Sequence, residues 1–432
     1  MIAGALVGLW FLFINPPFFI MDENRHFYRA YQVSEGHFTA TYQGHEVGGV
    51  LPESLNLTET AIIQKESAEK PSVENIFKML TLALESQKRV FIEFGGSSLT
   101  SPVAYIPQAL AIFLGRLFNF SPLILLYLGR LANFSVWLVL VYFAVKKTPI
   151  LKWVFILLAL MPMSLAQAAS LSVDALVNSV SLFLLAFIFS YAFGEQKKLN
   201  NLGIFLLFAL ASLLALSKPL YLPLLVLFFL IPVKKIGSKK KYLGVAVLLF
   251  LLSAAEVAIW SYFIRKFSFI DNASLGFLFS HLGHYVISFF ETLWVLGALF
   301  IKQFVGGFGL QVKPPLPDFV EYSYLALMII VAFLGGRKSP KINWLQRSAL
   351  GAVLVSCIIL GSAYFFSFCL FGSQIWCIWG RYLIPFAPLF FILFLNRRFG
   401  PKNPLALNAV AVLYLFFALP YISFLLFERY YL

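Results

Sequence analysis

The amino-acid sequence predicts an all-α polytopic membrane protein with about eleven transmembrane helices. Of its 432 residues, 60% are hydrophobic and only 12% are charged, whereas soluble domains carry roughly 25% charged residues. The mean hydropathy is +0.85, and apolar runs of about 20 residues, long enough to cross roughly 30 Å of hydrocarbon, recur along the chain. A soluble protein could not bury this much apolar surface, so lipid is the solvent that the composition fits.

The first 20 residues predict a membrane helix. They have neither the basic start nor the small-residue cleavage site of a signal peptide, and Pro16 and Pro17 mark the end of the helix. A long polar stretch follows over residues 21–101, and the chain has no second one. We therefore expect a single transmembrane domain, residues 1–432, with one large extracytoplasmic loop.

Ten further segments are long and apolar enough to be predicted as spans: 122–145, 150–169, 174–194, 200–217, 219–233, 242–264, 318–336, 346–368, 381–396 and 404–427. Two other apolar segments, 104–118 and 285–303, are ambiguous. If neither crosses, five basic loops fall on one side of the membrane, and cytoplasmic loops carry the excess of Lys and Arg. If 104–118 alone crosses, all five basic loops move to the other side of the membrane. If 285–303 crosses, with or without 104–118, the last two basic loops lie on the opposite side from the first three. We therefore expect both segments to be surface-lying or re-entrant helices.

The five loops contain Lys146, Lys147, Lys152, Lys197, Lys198, Lys234, Lys235, Lys239, Lys240, Lys241, Arg337, Lys338, Lys341, Arg347, Arg397, Arg398 and Lys402. They account for much of the net charge of +14. No basic region with interleaved aromatic residues resembles a nucleic-acid surface, so nucleic acid is not an expected partner. The pattern predicts a multi-pass protein of the bacterial cytoplasmic membrane with its N-terminus in the cytoplasm. Cys369 and Cys377 flank one predicted loop and are candidates for a disulfide.

This topology collects polar residues at the extracytoplasmic ends of the apolar helices. As a helix, the segment after Pro17 places Asp22, His26 and Arg29 on one face, with Glu23 beside His26. An acid here could take a proton from an attacking hydroxyl, and acid plus imidazole could hold a divalent cation. The alternative is an interfacial helix whose charges meet water and lipid headgroups.

Three more charged residues lie at predicted helix ends. Lys218 could bind a phosphate as a point charge or extend to the interface as a surface lysine. Arg381 has the guanidinium geometry that matches phosphate bidentately, or it could anchor the interface beside Trp379 and Tyr382. Asp174 could join the same site or cap a helix start.

Short motifs in a fixed order give the chain a family resemblance. They are Pro16-Pro17 with Asp22-Glu23, His26-Phe27 and Arg29-Ala30-Tyr31; Gly48-Gly49 with Leu51-Pro52; Tyr105-Ile106-Pro107-Gln108; Gly129-Arg130-Leu131; Met161-Pro162 through Gln167 and Ser170 to Asp174; Lys218 with Tyr221; and Gly380-Arg381-Tyr382 with Pro385. The set resembles a bacterial membrane-protein family catalogued as a domain of unknown function. That family looks related to the GT-C superfamily of membrane glycosyltransferases.

The resemblance implies a GT-C-like bundle and an enzyme that transfers a sugar, with inversion, from a polyprenyl-phosphate donor to a cell-surface glycan or lipid-linked acceptor. It implies that Asp22 is the general base or a metal ligand and that Glu23 is its partner. A divalent metal, Mg²⁺ or Mn²⁺, could be held by these two residues and His26. The alternatives are a transporter or flippase of a lipid-linked saccharide and a non-catalytic envelope assembly protein.

We assign the remaining site residues by their chemistry. The cations that would hold the donor phosphate are Lys218, Arg381, Arg25 and Arg29. The residues expected to support the site are His26, Gln167, Asp174, Tyr221 and Tyr382. Segment 104–118 would lie on the membrane as an amphipathic helix.

Overall fold

The computed structural model describes residues 2–63, 70–195, 198–265, 275–307, 316–337, 339–367, 369–401 and 403–432. It is an all-α membrane protein with a few short strands. The helices are α1 Ile2–Ile14, α2 Glu23–Ser34, α3 Glu53–Ile63, α4 Val73–Met79, α5 Gly95–Ser98, α6 Ile106–Leu117, α7 Pro122–Lys147, α8 Lys152–Leu160, α9 Pro162–Ala168, α10 Asp174–Ala192, α11 Asn201–Ser217, α12 Val233–Ile236, α13 Lys239–Ile264, α14 Leu275–Ser280, α15 Leu282–Val305, α16 Asp318–Leu334, α17 Trp344–Phe366, α18 Ala387–Leu393 and α19 Leu405–Tyr431. Three 3-10 helices occupy Pro102–Tyr105, Pro219–Leu230 and Gly380–Phe386, and the strands are β1 Thr41–Gln43, β2 Glu46–Pro52, β3 Arg89–Glu93, β4 Leu370–Phe371 and β5 Gln374–Ile375.

Among the described residues, six helices are long and apolar enough to cross a membrane: α7, α10, α13, α15, α17 and α19. Other predicted spans are shorter or broken. The span predicted at 150–169 is split into α8 and α9 because Pro162 interrupts the helix. The segment after Lys218 is a 3-10 helix with Pro223 inside it. The count of eleven crossings therefore stays a prediction.

The described parts of the basic loops lie together at one end of the bundle, here called the basic end. The Lys147 ammonium lies 4.8 Å from the Phe187 ring near the end of α10. Lys235 donates to the Gly194 carbonyl oxygen at 2.8 Å. Trp153 in the first turn of α8 donates to Asn408 in the first turn of α19. Arg337 after α16 donates to the Gly400 carbonyl oxygen in the loop between α18 and α19. Arg347 in the first turn of α17 donates to the Leu395 carbonyl oxygen just after α18. Lys197, Lys338 and Lys402 lie outside the described residues.

The other end of the bundle, here called the polar end, holds Asp22, Asp174, Lys218 and Arg381. The contacts of α6 keep it at this end. The Tyr105 hydroxyl, just before α6, is 2.8 Å from His26 Nδ1, and Arg116 in its last turn donates to the Ser34 carbonyl oxygen at 2.9 Å. Both ends of the helix therefore touch α2, which keeps α6 beside α2 at the polar end.

The length and hydropathy of α15 would allow it to span, but its contacts place it along the polar end. Near its start, the Tyr285 hydroxyl lies 2.8 Å from the Ser362 hydroxyl in the last turns of α17. Near its finish, Gln303 accepts a hydrogen bond from the Gly380 amide at 3.0 Å. These two positions are about 27 Å apart along a helix, yet both partners lie at the polar end.

This arrangement predicts that His45 and Ser238 lie on opposite sides of the membrane. Both are exposed, and His45 is preferred to Gly44, whose φ of +63° disfavours a side chain. We expect a membrane-impermeant maleimide to label only one of His45→Cys and Ser238→Cys in right-side-out vesicles. Labelling of both from the same side would contradict the topology.

The polar stretch 21–101 folds onto the polar end. Strands β1, β2 and β3 form an antiparallel sheet in that order, with Gly48 opposite Glu93. A side chain at Gly48 would come within 2.0 Å of the Ile92 carbonyl oxygen, so the strands meet closely there. Glu35 at the end of α2 pairs with Arg89 of the sheet at 2.6 Å and Arg116 of α6 at 3.2 Å. These ion pairs fix α2, and with it Asp22, against the bundle.

A short hairpin of β4 and β5 also lies at the polar end, between α17 and Arg381. Cys369 and Cys377 form a disulfide across it, with their Cα atoms 5.6 Å apart. Cys357 is a buried free cysteine. The disulfide closes the loop that immediately precedes the Gly380–Phe386 3-10 helix and so restrains the approach to Arg381.

Candidate functional site

Five segments that are far apart in sequence meet at the polar end. They are the start of α2, the Pro102–Tyr105 3-10 helix, the end of α9 with the start of α10, the residues after α11, and the Gly380–Phe386 3-10 helix. Side-chain contacts run from Asp22 through Arg381 and Asp174 to Lys218, and the Tyr105–His26 pair lies beside them, with His26 on α2. Such groups are costly at the end of a membrane bundle unless they pair with one another, and here they do.

Arg381 is the centre of this network. Its Nη2 donates to Asp22 Oδ2 at 3.0 Å, and its Nε lies 3.3 Å from Asp174 Oδ2. Only 9% of its side chain is exposed. One buried guanidinium therefore joins two carboxylates whose positions in the chain differ by about 150 residues.

Asp174 brings the second cation to the same place. Its Oδ1 accepts a hydrogen bond from Lys218 Nζ, and its Oδ2 accepts one from Gln167 Nε2 at 3.0 Å. The Lys218 ammonium also lies 4.2 Å from the centre of the Tyr382 ring, a distance at which the ring attracts a cation. Asp174 thus holds Lys218 and Arg381 side by side.

Aromatic and amide side chains support the contacts of Asp174, Lys218 and Arg381 through further hydrogen bonds. The Tyr221 hydroxyl donates to the Tyr382 carbonyl oxygen at 3.1 Å, and Asn178 donates to Gln167 Oε1 at 2.8 Å. The predicted supporting residues Gln167, Asp174, Tyr221 and Tyr382 therefore belong to one network.

Asp22 has an unusual backbone conformation. It precedes the first residue of α2 with φ of 62° and ψ of 9°, in the left-handed region, and its side chain does not cap the helix. Asp at a helix start normally accepts from a backbone N–H. Here the carboxylate contacts Arg381 instead and is 38% exposed. A left-handed non-glycine residue is costly and clusters at functional sites, so this geometry supports a role for Asp22 beyond capping.

His26 lies one turn after Asp22. Its Nδ1 and the Tyr105 hydroxyl share a hydrogen bond of 2.8 Å. Burial away from water lowers the pKa of His26 to about 4. The Asp22 and Asp174 charges oppose this shift, and the Lys218 and Arg381 charges reinforce it. Burial also raises the pKa of Tyr105. At neutral pH the pair is therefore uncharged.

This lowered pKa predicts an acid-sensitive contribution to stability. The unfolded chain binds a proton at His26 near pH 6.5, whereas the folded chain binds one only near pH 4. Unfolding is therefore progressively favoured as the pH falls between these values. We expect His26→Gln to reduce the fall in Tm over this range by roughly 5–10 °C, because a difference of about 2.5 pKa units corresponds to at most about 3 kcal/mol and each kcal/mol shifts Tm by about 2–4 °C in a domain of a few hundred residues. Exposed His45→Gln is the matched control, and identical Tm profiles for the two variants would contradict the interpretation.

Glu23, which the resemblance makes the partner of Asp22, lies outside this network in a separate buried ion pair. Its carboxylate forms a two-bond ion pair with Arg130, at 2.7 and 2.6 Å, and both side chains are completely buried. The remaining Arg130 donors bind the carbonyl oxygens of Leu12, Asn15 and Pro16. Glu23 also accepts from the amides of Phe18 and Leu171. Each carboxylate oxygen of Glu23 thus accepts two hydrogen bonds. Glu23 therefore acts as a structural group that joins α1, α2, α7 and the segment before α10.

Arg25 and Arg29 are also separate from the two phosphate-binding candidates. Arg25 is largely exposed and lies 3.8 Å from Glu93 of the sheet. Arg29 is fully buried and donates to Gln32 and, at 2.6 Å, to the Phe38 carbonyl oxygen. The prediction placed them with Lys218 and Arg381, but Arg25 faces the sheet and Arg29 binds Gln32 and the segment between α2 and β1.

The acidic residues and His26 do not form a metal site. Asp22 pairs with Arg381, Glu23 with Arg130, and His26 with Tyr105. Across the part of the chain that the structure describes, no three His, Cys, Asp or Glu side chains lie close enough to hold an ion. The donor set therefore does not fit the Mg²⁺ or Mn²⁺ that the resemblance implies, and the chemistry below uses none.

Three residues in these contacts, Arg130, Tyr105 and Asn178, were missing from the predicted site. Arg130 lies inside the apolar run of α7, and an ionisable residue within a span indicates a buried partner. Tyr105 begins a family motif but lies in an apolar context. The charge of Arg130 was a usable signal, whereas nothing local predicts the bond from Tyr105 to His26.

No curated protein and no solved structure matches this chain. A family model described as a predicted membrane protein (DUF2142) matches residues 5–390. The match covers nearly the whole chain and confirms the family of unknown function that the motifs indicate: the chain belongs to the DUF2142 family of membrane proteins.

Proposed function

We propose that this chain is a glycosyltransferase that moves a sugar from a polyprenyl-phosphate donor to a cell-surface glycan or lipid-linked acceptor. One observation carries the proposal: Arg381 contacts both Asp22 and Asp174, and Asp174 holds Lys218. A partly exposed carboxylate therefore contacts one of two cations that Asp174 holds together, and both cations suit a phosphate.

The arrangement fits the charge changes of this reaction. The acceptor hydroxyl attacks the anomeric carbon while the bond from that carbon to the phosphate oxygen breaks, and the electron pair leaves with the phosphate. Lys218 and Arg381 stabilise the charge that develops on the leaving lipid phosphate. Asp22 takes the proton from the hydroxyl. A single direct displacement inverts the anomeric carbon.

The cavity beside the Arg381 guanidinium has both polar and apolar walls, lined by Ile20, Met21, Met163, Ala166, Gln167, Ser172, Gly307 and Arg381. Its volume is only about 10 Å³, far below the roughly 300–1,000 Å³ of ligand pockets. The proposal therefore requires the segments around Arg381 to separate when the donor binds.

The side of the membrane is also part of the proposal. The basic end, with its lysine-rich loops, would face the cytoplasm under the positive-inside rule. The polar end would then face the outside of a bacterial cytoplasmic membrane, where the acceptor is a growing surface glycan or a lipid-linked saccharide.

The test is a transfer assay with purified protein in nanodiscs, supplied with labelled polyprenyl-phosphate sugars and a crude envelope acceptor. We expect Arg381→Ala and Lys218→Ala each to slow transfer by about 10²–10³, the usual effect of removing one transition-state donor. Lys302→Ala is the matched control, because Lys302 pairs with Asp318 away from the network. Transfer that survives both substitutions would refute the mechanism. Binding and transbilayer movement of the lipid-linked sugar without transfer would favour a transporter or flippase.

A further inference from the structure

Tyr105 and His26 form a polar pair beside Asp22, and no step of the proposed reaction uses it. The Tyr105 hydroxyl and His26 Nδ1 are 2.8 Å apart. Either atom can supply the proton of this bond, because a neutral imidazole carries its proton on one of two nitrogens. The position of that proton decides whether Nε2, on the other side of the ring, donates or accepts a hydrogen bond.

The surroundings of Tyr105 give the proton of this bond to the tyrosine. Its side chain is completely buried. Burial raises the pKa of Tyr105, whereas hydrogen bonds from the side chains of Ser97 and Thr100 lower it. A hydrogen bond lowers the pKa of a phenol when it is donated to the oxygen, so both hydroxyls donate to Tyr105. The buried Tyr105 hydroxyl then needs an acceptor for its own proton, and among the described residues His26 Nδ1 fills this role.

This bond leaves the proton of the imidazole on Nε2. His26 is neutral at neutral pH and Nδ1 accepts from Tyr105, so the single ring proton is on the other nitrogen. Across the part of the chain that the structure describes, Nε2 has no hydrogen-bond partner, and the His26 side chain is partly exposed. An N–H donor is therefore available to a ligand at this position.

The same donor lies next to the proposed base. The His26 amide donates to the Asp22 carbonyl oxygen at 3.0 Å, which sets the two residues one helical turn apart, a spacing at which Cβ atoms are about 5–6 Å apart. Of the charges around His26, that of Asp22 affects its pKa most. One ligand oxygen can therefore lie within hydrogen-bond distance of both the Asp22 carboxylate and His26 Nε2.

We infer that Tyr105 holds His26 as the Nε2–H tautomer, and that this N–H donates to the oxygen of the acceptor hydroxyl while Asp22 takes the proton of that hydroxyl. The second part rests on the proposed function, whereas the tautomer does not. In this form His26 orients the hydroxyl but cannot act as its base, because its nitrogen lone pair is bound to Tyr105. Tyr105 is a positioning residue, since it acts through His26.

The tautomer is measured by NMR on the full chain in nanodiscs, labelled with 15N-histidine. The chain has five histidines, and the His26 signals are those missing from His26→Gln. Protonated and unprotonated ring nitrogens resonate at different 15N shifts, so the spectrum shows which nitrogen carries the proton. We expect the proton on Nε2 in the wild type and a measurable share on Nδ1 in Tyr105→Phe, which keeps the ring but loses the donor.

Tyr414→Phe is the matched control for the spectrum. It removes a tyrosine hydroxyl that bonds the Ser323 hydroxyl at 2.7 Å, between α16 and α19, and it should leave the His26 signals unchanged. A proton on Nδ1 in the wild type would overturn the inference. A His26 spectrum that is the same in Tyr105→Phe as in the wild type would also overturn it.

Transfer assays test the role of the N–H towards the acceptor. His26→Leu removes the donor and is expected to slow transfer by about 10²–10³, whereas the amide of His26→Gln supplies another N–H and should stay within about tenfold of the wild type. Tyr105→Phe should slow turnover roughly two- to tenfold, with unchanged binding of polyprenyl phosphate.

Equal transfer by the Leu and Gln variants at similar Tm would overturn the role of the N–H. A wild-type protein that transfers no sugar would refute the proposed function, and with it this role, while the spectrum would still decide the tautomer.

Discussion

Asp22→Asn is expected to lower the rate of sugar transfer by about 10²–10⁴, the contribution of a well-placed general base. The amide keeps the size of the side chain and can still accept a hydrogen bond from Arg381 at the present 3.0 Å contact. It cannot take up a proton from the acceptor. The left-handed backbone at this position also tolerates Asn as well as Asp, so the fold should survive the change.

Binding of the polyprenyl-phosphate donor to the Asp22→Asn variant is measured alongside its transfer rate. Lys218 and Arg381 keep their contacts with Asp174 in this variant, so the affinity for a polyprenyl phosphate should change little while turnover falls. Asp318→Asn, which alters an exposed ion pair with Lys302, controls for loss of a surface carboxylate. Unchanged transfer in Asp22→Asn would exclude Asp22 as the base. A parallel loss of donor binding would indicate that Asp22 positions Arg381 instead.

The sequence could predict which ends of the helices carry the site, because a charge beside an apolar run is visible without a structure. Asp22, Asp174, Lys218 and Arg381 were found in this way, and the structure places them in one network. The basic loops were equally informative, because excess Lys and Arg follow a rule about membrane sides that needs no tertiary contacts.

The sequence could not predict that Asp22 contacts Arg381 while Glu23 contacts Arg130. Neighbouring residues on a helix point about 100° apart, so one faces Arg381 and the other faces Arg130. Which acid meets which cation depends on partners more than a hundred positions away. The same limit applies to Arg25 and Arg29. Their partners, Glu93 and the Phe38 carbonyl oxygen, lie elsewhere in the polar stretch, and the sequence pattern of that stretch does not show that they come close.

Breaking the pair of Glu23 and Arg130 is expected to be among the most destabilising single changes in the chain. Glu23→Gln or Arg130→Met leaves an unpaired charge in a completely buried position, which typically costs about 3–5 kcal/mol. Arg130 also binds three carbonyl oxygens at the end of α1. Its loss should therefore release α1 from the polar end, and unfolding in detergent, followed by Tm and denaturant midpoint, measures the effect.

The double variant separates a structural role from a catalytic one. Removing both charges avoids the uncompensated ion, so Glu23→Gln with Arg130→Met should be clearly less destabilised than the sum of the single changes. Lys302→Ala with Asp318→Ala is the exposed comparison, where less than about 1 kcal/mol is expected. A Glu23→Gln protein of normal stability but without transfer would restore the catalytic role that the family resemblance implies. Low stability with recovery in the double variant would assign Glu23 the structural role of holding Arg130 and the end of α1 in place.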